Sequence, residues 1–182
     1  MVRNVCYMLV LLLLFTGAGC NGKVSDVTLD EEEIYTALKE WYKHSEDISV
    51  LATTQLQEHL VIVVSYNYNN ARYTDYCFIH ENDGKAVIRG SSGGLAESDL
   101  EAPRPLTFSS GGAIGDDGSY LITYGEIVDE TIEEIRLEYS DGVKISEKVS
   151  GNGYLIIREE AVAGVKVIEA LDGAGEVVYR VP

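Results

Sequence analysis

Ser92, Cys77 and three histidines are the residues of this 182-residue chain whose types and spacing could carry covalent or metal chemistry. Gly90-Ser91-Ser92-Gly93-Gly94 spells the G-x-S-x-G string, in which a serine sits on a sharp strand-to-helix turn and a base and an acid follow later. A strand precedes Ser92, but Leu95 to Pro103 offers no long helix and no histidine follows. Ser109-Ser110-Gly111-Gly112 recurs without that frame, so loop composition is the simpler reading. Cys77 and His80 could pair as thiolate and imidazole, because a thiol nucleophile needs a base to raise its thiolate fraction. A separation of three on a strand places them on opposite faces, and a cysteine between Tyr76 and Phe78 reads as a small buried hydrophobe. His44, His59 and His80 stand 15 and 21 residues apart. That is not the short paired spacing of a zinc site, which would have to be assembled by the fold. Gly115-Asp116-Asp117-Gly118 is the best local carboxylate cluster, yet it lacks the ligand alternation of a calcium loop and reads as a turn. No cofactor or metal is expected from these patterns.

The remaining candidate chemistry is recognition. Tyr66 and Tyr68 share one face of a strand, as do Tyr76 and Phe78, and the loop between them holds Asn69, Asn70, Arg72 and Tyr73. Tyrosine offers apolar area with a hydroxyl at its tip, and together with asparagine it suits wet contacts with proteins or glycans. Tyr66, Tyr68, Tyr73 and Tyr76 are therefore the expected binding face. The bland reading is that tyrosine is a good strand residue that pairs across strands.

The elements that position these residues follow from periodicity. Ile34, Tyr35, Leu38, Trp41 and Tyr42 mark one face of a helix over about Asp30 to Lys43. Asp30 with Glu33 forms a capping box, Glu31 to Glu33 suit the positive end of the dipole, and Trp41 is expected to anchor the helix on a sheet. From Ile48 the period becomes two. Strands are expected at Leu60–Tyr68, Tyr76–His80 and Ala86–Arg89, the last two flanking Asn82-Asp83-Gly84. Gly90 to Gly118, rich in Gly, Ser and Pro, reads as a linker or long loop. Six strands follow between Tyr120 and Val181, with corners at Asp141-Gly142, Asn152-Gly153 and Asp172-Gly173. Ile135, Leu137 and Tyr139 alternate with Glu134, Arg136 and Glu138, as in half-buried antiparallel strands. The expected class is mainly β: one N-terminal amphipathic helix, then antiparallel sheets in a β-sandwich or partly open barrel. Two regions are expected, residues 30–118 and 119–182. The run Val165 to Gly173 followed by Glu176 to Tyr179 resembles the closing hairpin of immunoglobulin-like extracytoplasmic modules, a likeness that implies binding or spacing.

The start of the chain bears on location. Arg3, the apolar run Tyr7 to Phe15 and Gly17-Ala18-Gly19-Cys20 have the layout of a secretory signal peptide. The apolar run is too short to span a hydrocarbon core, which takes about 20 residues. Ending on cysteine, the leader resembles the lipobox of bacterial lipoproteins, with Gly17 where that family usually carries a leucine or similar residue. The resemblance implies cleavage of residues 1–19, a diacylglycerol thioether on Cys20, a tether over residues 20–29, and anchoring to the cell membrane on its extracytoplasmic face. The alternative is a secreted protein with Cys20 unmodified, free to bridge Cys77 in an oxidising exterior.

Charge narrows the partners. Arg3 is the only one of the 14 basic residues in the leader, so the mature chain sets 13 against 30 acidic residues, a net of −17. Such a surface repels nucleic-acid backbones and anionic headgroups, which leaves the acyl chains to make any membrane attachment. The expectation is a lipid-anchored cell-envelope protein acting as a non-catalytic binding or scaffolding module for an envelope protein or glycan, without nucleic acid. Two alternatives stand beside it: a secreted or anchored hydrolase using Ser92 or Cys77, and a small-ligand or cation binder.

Overall fold

The computed structural model describes residues 29–96, 104–115, 118–149, 151–159 and 163–182. Cys20, the leader and Asp116-Asp117 lie outside them. The described residues form one helix, α1 (Glu31–Trp41), and eleven strands. These are β1 (Glu46–Leu56), β2 (His59–Tyr68), β3 (Ala71–Asn82), β4 (Lys85–Ala96), β5 (Ser109–Gly115) and β6 (Gly118–Glu126), then β7 (Ile132–Tyr139), β8 (Lys144–Lys148), β9 (Gly153–Glu159), β10 (Val165–Asp172) and β11 (Val177–Val181). They make three antiparallel sheets: sheet I in the order β1-β2-β3-β4, sheet II in the order β5-β6-β9, and sheet III in the order β11-β10-β7-β8. The protein is mainly β, and among the described residues the sheets stack without closing a barrel. None of the described helices is long and apolar enough to cross a membrane.

The layers follow from which side chains each strand turns inward. Val61 and Val63 of β2 pack with Leu56 and Tyr76 against Tyr120, Ile122 and Tyr124 of β6 and Leu155 of β9. The alternate residues Ile62 and Val64 face the other way, packing with Cys77, Ile79 and Ile88 against Leu38 and Tyr42 of α1. Sheet II also has two covered faces, because Tyr154 and Ile156 turn away from sheet I towards Ile135, Leu137, Tyr139 and Ile168 of sheet III. The order is α1, sheet I, sheet II, sheet III. A strand covered on both sides cannot alternate apolar with polar, which explains the unbroken run Leu60 to Val64. β7 lies in an outer layer, and there the alternation of Ile135, Leu137 and Tyr139 with charged residues is kept.

α1 begins where its sequence dictates, with the Asp30 carboxylate accepting from the Glu33 amide at 2.7 Å. Its attachment differs from expectation. Leu38 is fully buried and Tyr42 is 8% exposed, whereas Trp41 is 47% exposed and donates Nε1–H to Ser91 Oγ at 3.4 Å. Leu38 and Tyr42, one turn apart, point into sheet I, and Trp41 falls outside that line.

The Gly/Ser-rich stretch also differs. Gly90 to Ala96 continues β4, with Ser91 and Ser92 opposite Cys77 and Tyr76, and Ser109 to Gly115 forms β5. Strand pairing uses backbone groups, so side chains of low strand propensity do not prevent it once a neighbouring strand offers its unpaired edge. β5 and β6 pair along their length, from Ser109 opposite Tyr124 to Gly115 opposite Gly118.

Candidate functional site

β2 and β3 are joined by Asn69 and Asn70, at φ of 51° and 63°. Both lie in the left-handed region of a tight hairpin turn, which asparagine tolerates. This turn sets the register: Tyr66 stands directly opposite Tyr73, and Tyr68 opposite Ala71. Tyr73 is therefore a strand residue, correcting its expected place in a loop.

The rings make a ladder on the α1 side of sheet I. Tyr42, at the end of the helix, lies 4.5 Å from Tyr66 between centroids. Tyr66 stacks on Tyr73 at 5.5 Å with their planes 10° apart, and Tyr68 meets Tyr73 edge-on at 6.3 Å. Exposure rises along the ladder, from buried Tyr42 to Tyr68 at 43%. Tyr76 does not join it. Three residues beyond Tyr73 on one strand, it points to sheet II, where it is 5% exposed and packs edge-on against Tyr124 at 5.0 Å.

At its open end the ladder borders a groove of about 740 Å³ lined by His44, Glu46, Asn67, Tyr68, Asn69, Asn70 and Arg72. Arg72 is held there by a bidentate pair with Glu126 at 2.6 and 2.8 Å and by a bond to Ser65 Oγ at 2.9 Å. Asn67 donates to Asp47 at 2.8 Å. Two other hollows lie away from the ladder. One of about 790 Å³, with Ile34, Tyr35, Val50, Leu60 and Ile62 in its wall, separates α1 from β1 and β2. The other, of about 260 Å³, lies between β1 and the β8–β9 region.

Beneath the closed end is a group that the sequence did not single out. Asp75 is 2% exposed and occupies a register shift between β3 and β4. Its carboxylate accepts from the Tyr42 hydroxyl at 3.0 Å and from the Tyr76 amide at 2.7 Å, and the Ser91 hydroxyl and Ser92 amide also support its charged form. Burial outweighs these four donors and pushes the carboxyl up to about 6. Burial, then the nearby Asp75 charge, pushes the Tyr66 phenol up to about 12. An acidic residue at a core-parity position among apolar strand residues was the available signal.

The other sequence candidates are placed as follows. Cys77 is free and fully buried against α1, and burial pushes its thiol up to about 12, so it is held as the thiol. His80 sits on the opposite face of β3, where its ring neighbours that of His59. Ser92 lies within β4 beside its register shift, not at a strand-to-helix turn, its hydroxyl close to those of Tyr76 and Tyr124. The Tyr42–Asp75 hydrogen bond ties the end of α1, which frames the ladder, to β3. Compared with protein-family models, with curated proteins and with solved structures, the chain matches none.

Proposed function

We propose that this protein is a lipid-anchored, extracytoplasmic binding module that holds an envelope protein or glycan through Tyr66, Tyr68 and Tyr73. The observation that carries the reading is the tyrosine ladder, which opens onto a polar groove instead of closing into a core. Stacked rings present broad apolar area at low entropic cost, and the asparagines of the turn supply adaptable hydrogen bonds. The anchor rests on the leader and Cys20, and a secreted form is the alternative. With a mature net charge of −17, the module favours neutral or basic partners.

The test uses the full chain in its native envelope, with Tyr68→Ser and Tyr73→Ser together. Tyr66 is left in place because it packs on Tyr42. Capture of solubilised envelope material should fall at least about tenfold, as expected when central aromatic contacts are removed. Protease-treated and untreated material then distinguish glycan from protein. Unchanged capture with both rings removed rejects the face. Separately, Cys20→Ser should move the protein from the membrane fraction to the soluble one.

A further inference from the structure

We propose that His59 and His80 form a binding site for a divalent transition-metal ion of the zinc type. The two residues are directly opposed across β2 and β3, at the other end of the hairpin from the tyrosine turn. Their ring centroids are 5.8 Å apart with planes at 54°. Two imidazoles on one zinc ion, each with a Zn–N bond of about 2.0–2.1 Å, place their centroids about 5–6 Å apart, so the pair is already near chelating separation.

Each ring carries a nitrogen without a partner. Nδ1 of His59 and Nδ1 of His80 are both buried and have no hydrogen-bond partner. A buried polar atom without a partner is unfavourable, and such atoms are uncommon in folded proteins. Here two occur on opposed rings of the residue type that most often ligates metals. Nε2 of His59 lies 3.9 Å from a carboxylate oxygen of Glu58. That is ion-pair range and too long for a hydrogen bond, so the Glu58 carboxylate adds negative charge beside the ring that favours a bound cation. Phe78, edge-on to His59 at 6.0 Å, walls one side.

Among the described residues no three His, Cys, Asp or Glu side chains converge on a metal position. Among the described residues the site therefore supplies two nitrogens. Imidazole ligands favour zinc, copper and nickel, while calcium and magnesium require oxygen.

The probes are zinc and nickel ions added singly to the mature chain, with calcium and magnesium for comparison. Calorimetry should show one zinc per chain, and His59→Gln or His80→Gln should each weaken binding at least tenfold while His44→Gln leaves it unchanged. Nickel should broaden the imidazole proton resonances of His59 and His80 in the unsubstituted protein before those of His44, a readout that no folding defect in a variant can mimic. Zinc binding that survives either substitution, broadening led by His44, or no binding at millimolar zinc would overturn the site. The last result would leave a shared water as the partner of the two nitrogens.

Discussion

Gly125→Ala is expected to destabilise the fold by about 3 kcal/mol or more, at the upper end of overpacking effects. A Cβ at residue 125 would stand 1.9 Å from the Thr107 carbonyl oxygen and 2.8 Å from Tyr154 Cε1. The obstacle cannot swing aside, because it is backbone tied at several points. The Thr107 carbonyl accepts from the Tyr154 hydroxyl at 3.0 Å, and Thr107 Oγ1 accepts from the Glu126 amide at 2.9 Å. The Thr107 amide donates to the Glu126 carbonyl at 2.9 Å, so the segment before β5 is laced to the end of β6. Clearing the new methyl means breaking this lacing at the core shared by sheets II and III. Gly90→Ala is the control, since a Cβ there meets nothing within 4 Å. Urea midpoints should separate the two variants clearly. If Gly125→Ala unfolded within about 1 kcal/mol of Gly90→Ala, the close approach of Thr107 to β6 would be wrong.

The second large effect is a pH dependence traceable to Asp75. Its carboxyl ordinarily titrates near 3.8 and in the fold near 6, because burial disfavours the charged form. Folding therefore favours the protonated acid. The contribution is fully present below about pH 4 and is lost as pH rises through 6. A shift of about two units corresponds to about 3 kcal/mol, an upper figure given the donors around the carboxylate. Asp75→Asn removes the titration while keeping an oxygen to accept from Tyr42. Stability of the unsubstituted protein should thus fall relative to Asp75→Asn between pH 4 and 6.5 and run parallel to it above pH 7. Repulsion within the acidic surface also changes over this range, but it acts on both proteins and cancels in the difference. Parallel curves throughout would show that Asp75 is already ionised in the fold at pH 4. The group lies under the helix end that frames the tyrosine ladder, so partner capture measured across the same range reports whether the frame depends on it.

Local pattern carried much of this architecture. Asp30 followed three residues later by Glu33 marks the helix start, because an N-cap needs only its own turn. Asn82-Asp83-Gly84 marks the β3–β4 turn, with Asp83 and Gly84 at positive φ. Period-two segments mark several of the strands, and the alternation in β7 gives its buried face correctly. Parity also separates Tyr73 from Tyr76, once both are known to lie on one strand.

Other features are not local. Residues 90–96 have the composition of a loop, yet pair as a strand because β3 offers an edge. Trp41 is the largest residue on its helix, yet Leu38 and Tyr42 make the contact, because the placement of α1 over β2, β3 and β4 decides which side meets the sheet. Asp75 is one of many acids in the sequence, and only α1 above and the shifted β4 beside it make it a buried one. His59 and His80 are 21 residues apart in the chain, and only the hairpin register sets them face to face. Residue order alone determined α1, most of the strands and the parity of their faces, because those depend on bonds and clashes within a few residues. The tertiary structure decided which face is covered, by what, and which distant side chains meet, because burial and pairing are properties of neighbours that the chain supplies from elsewhere.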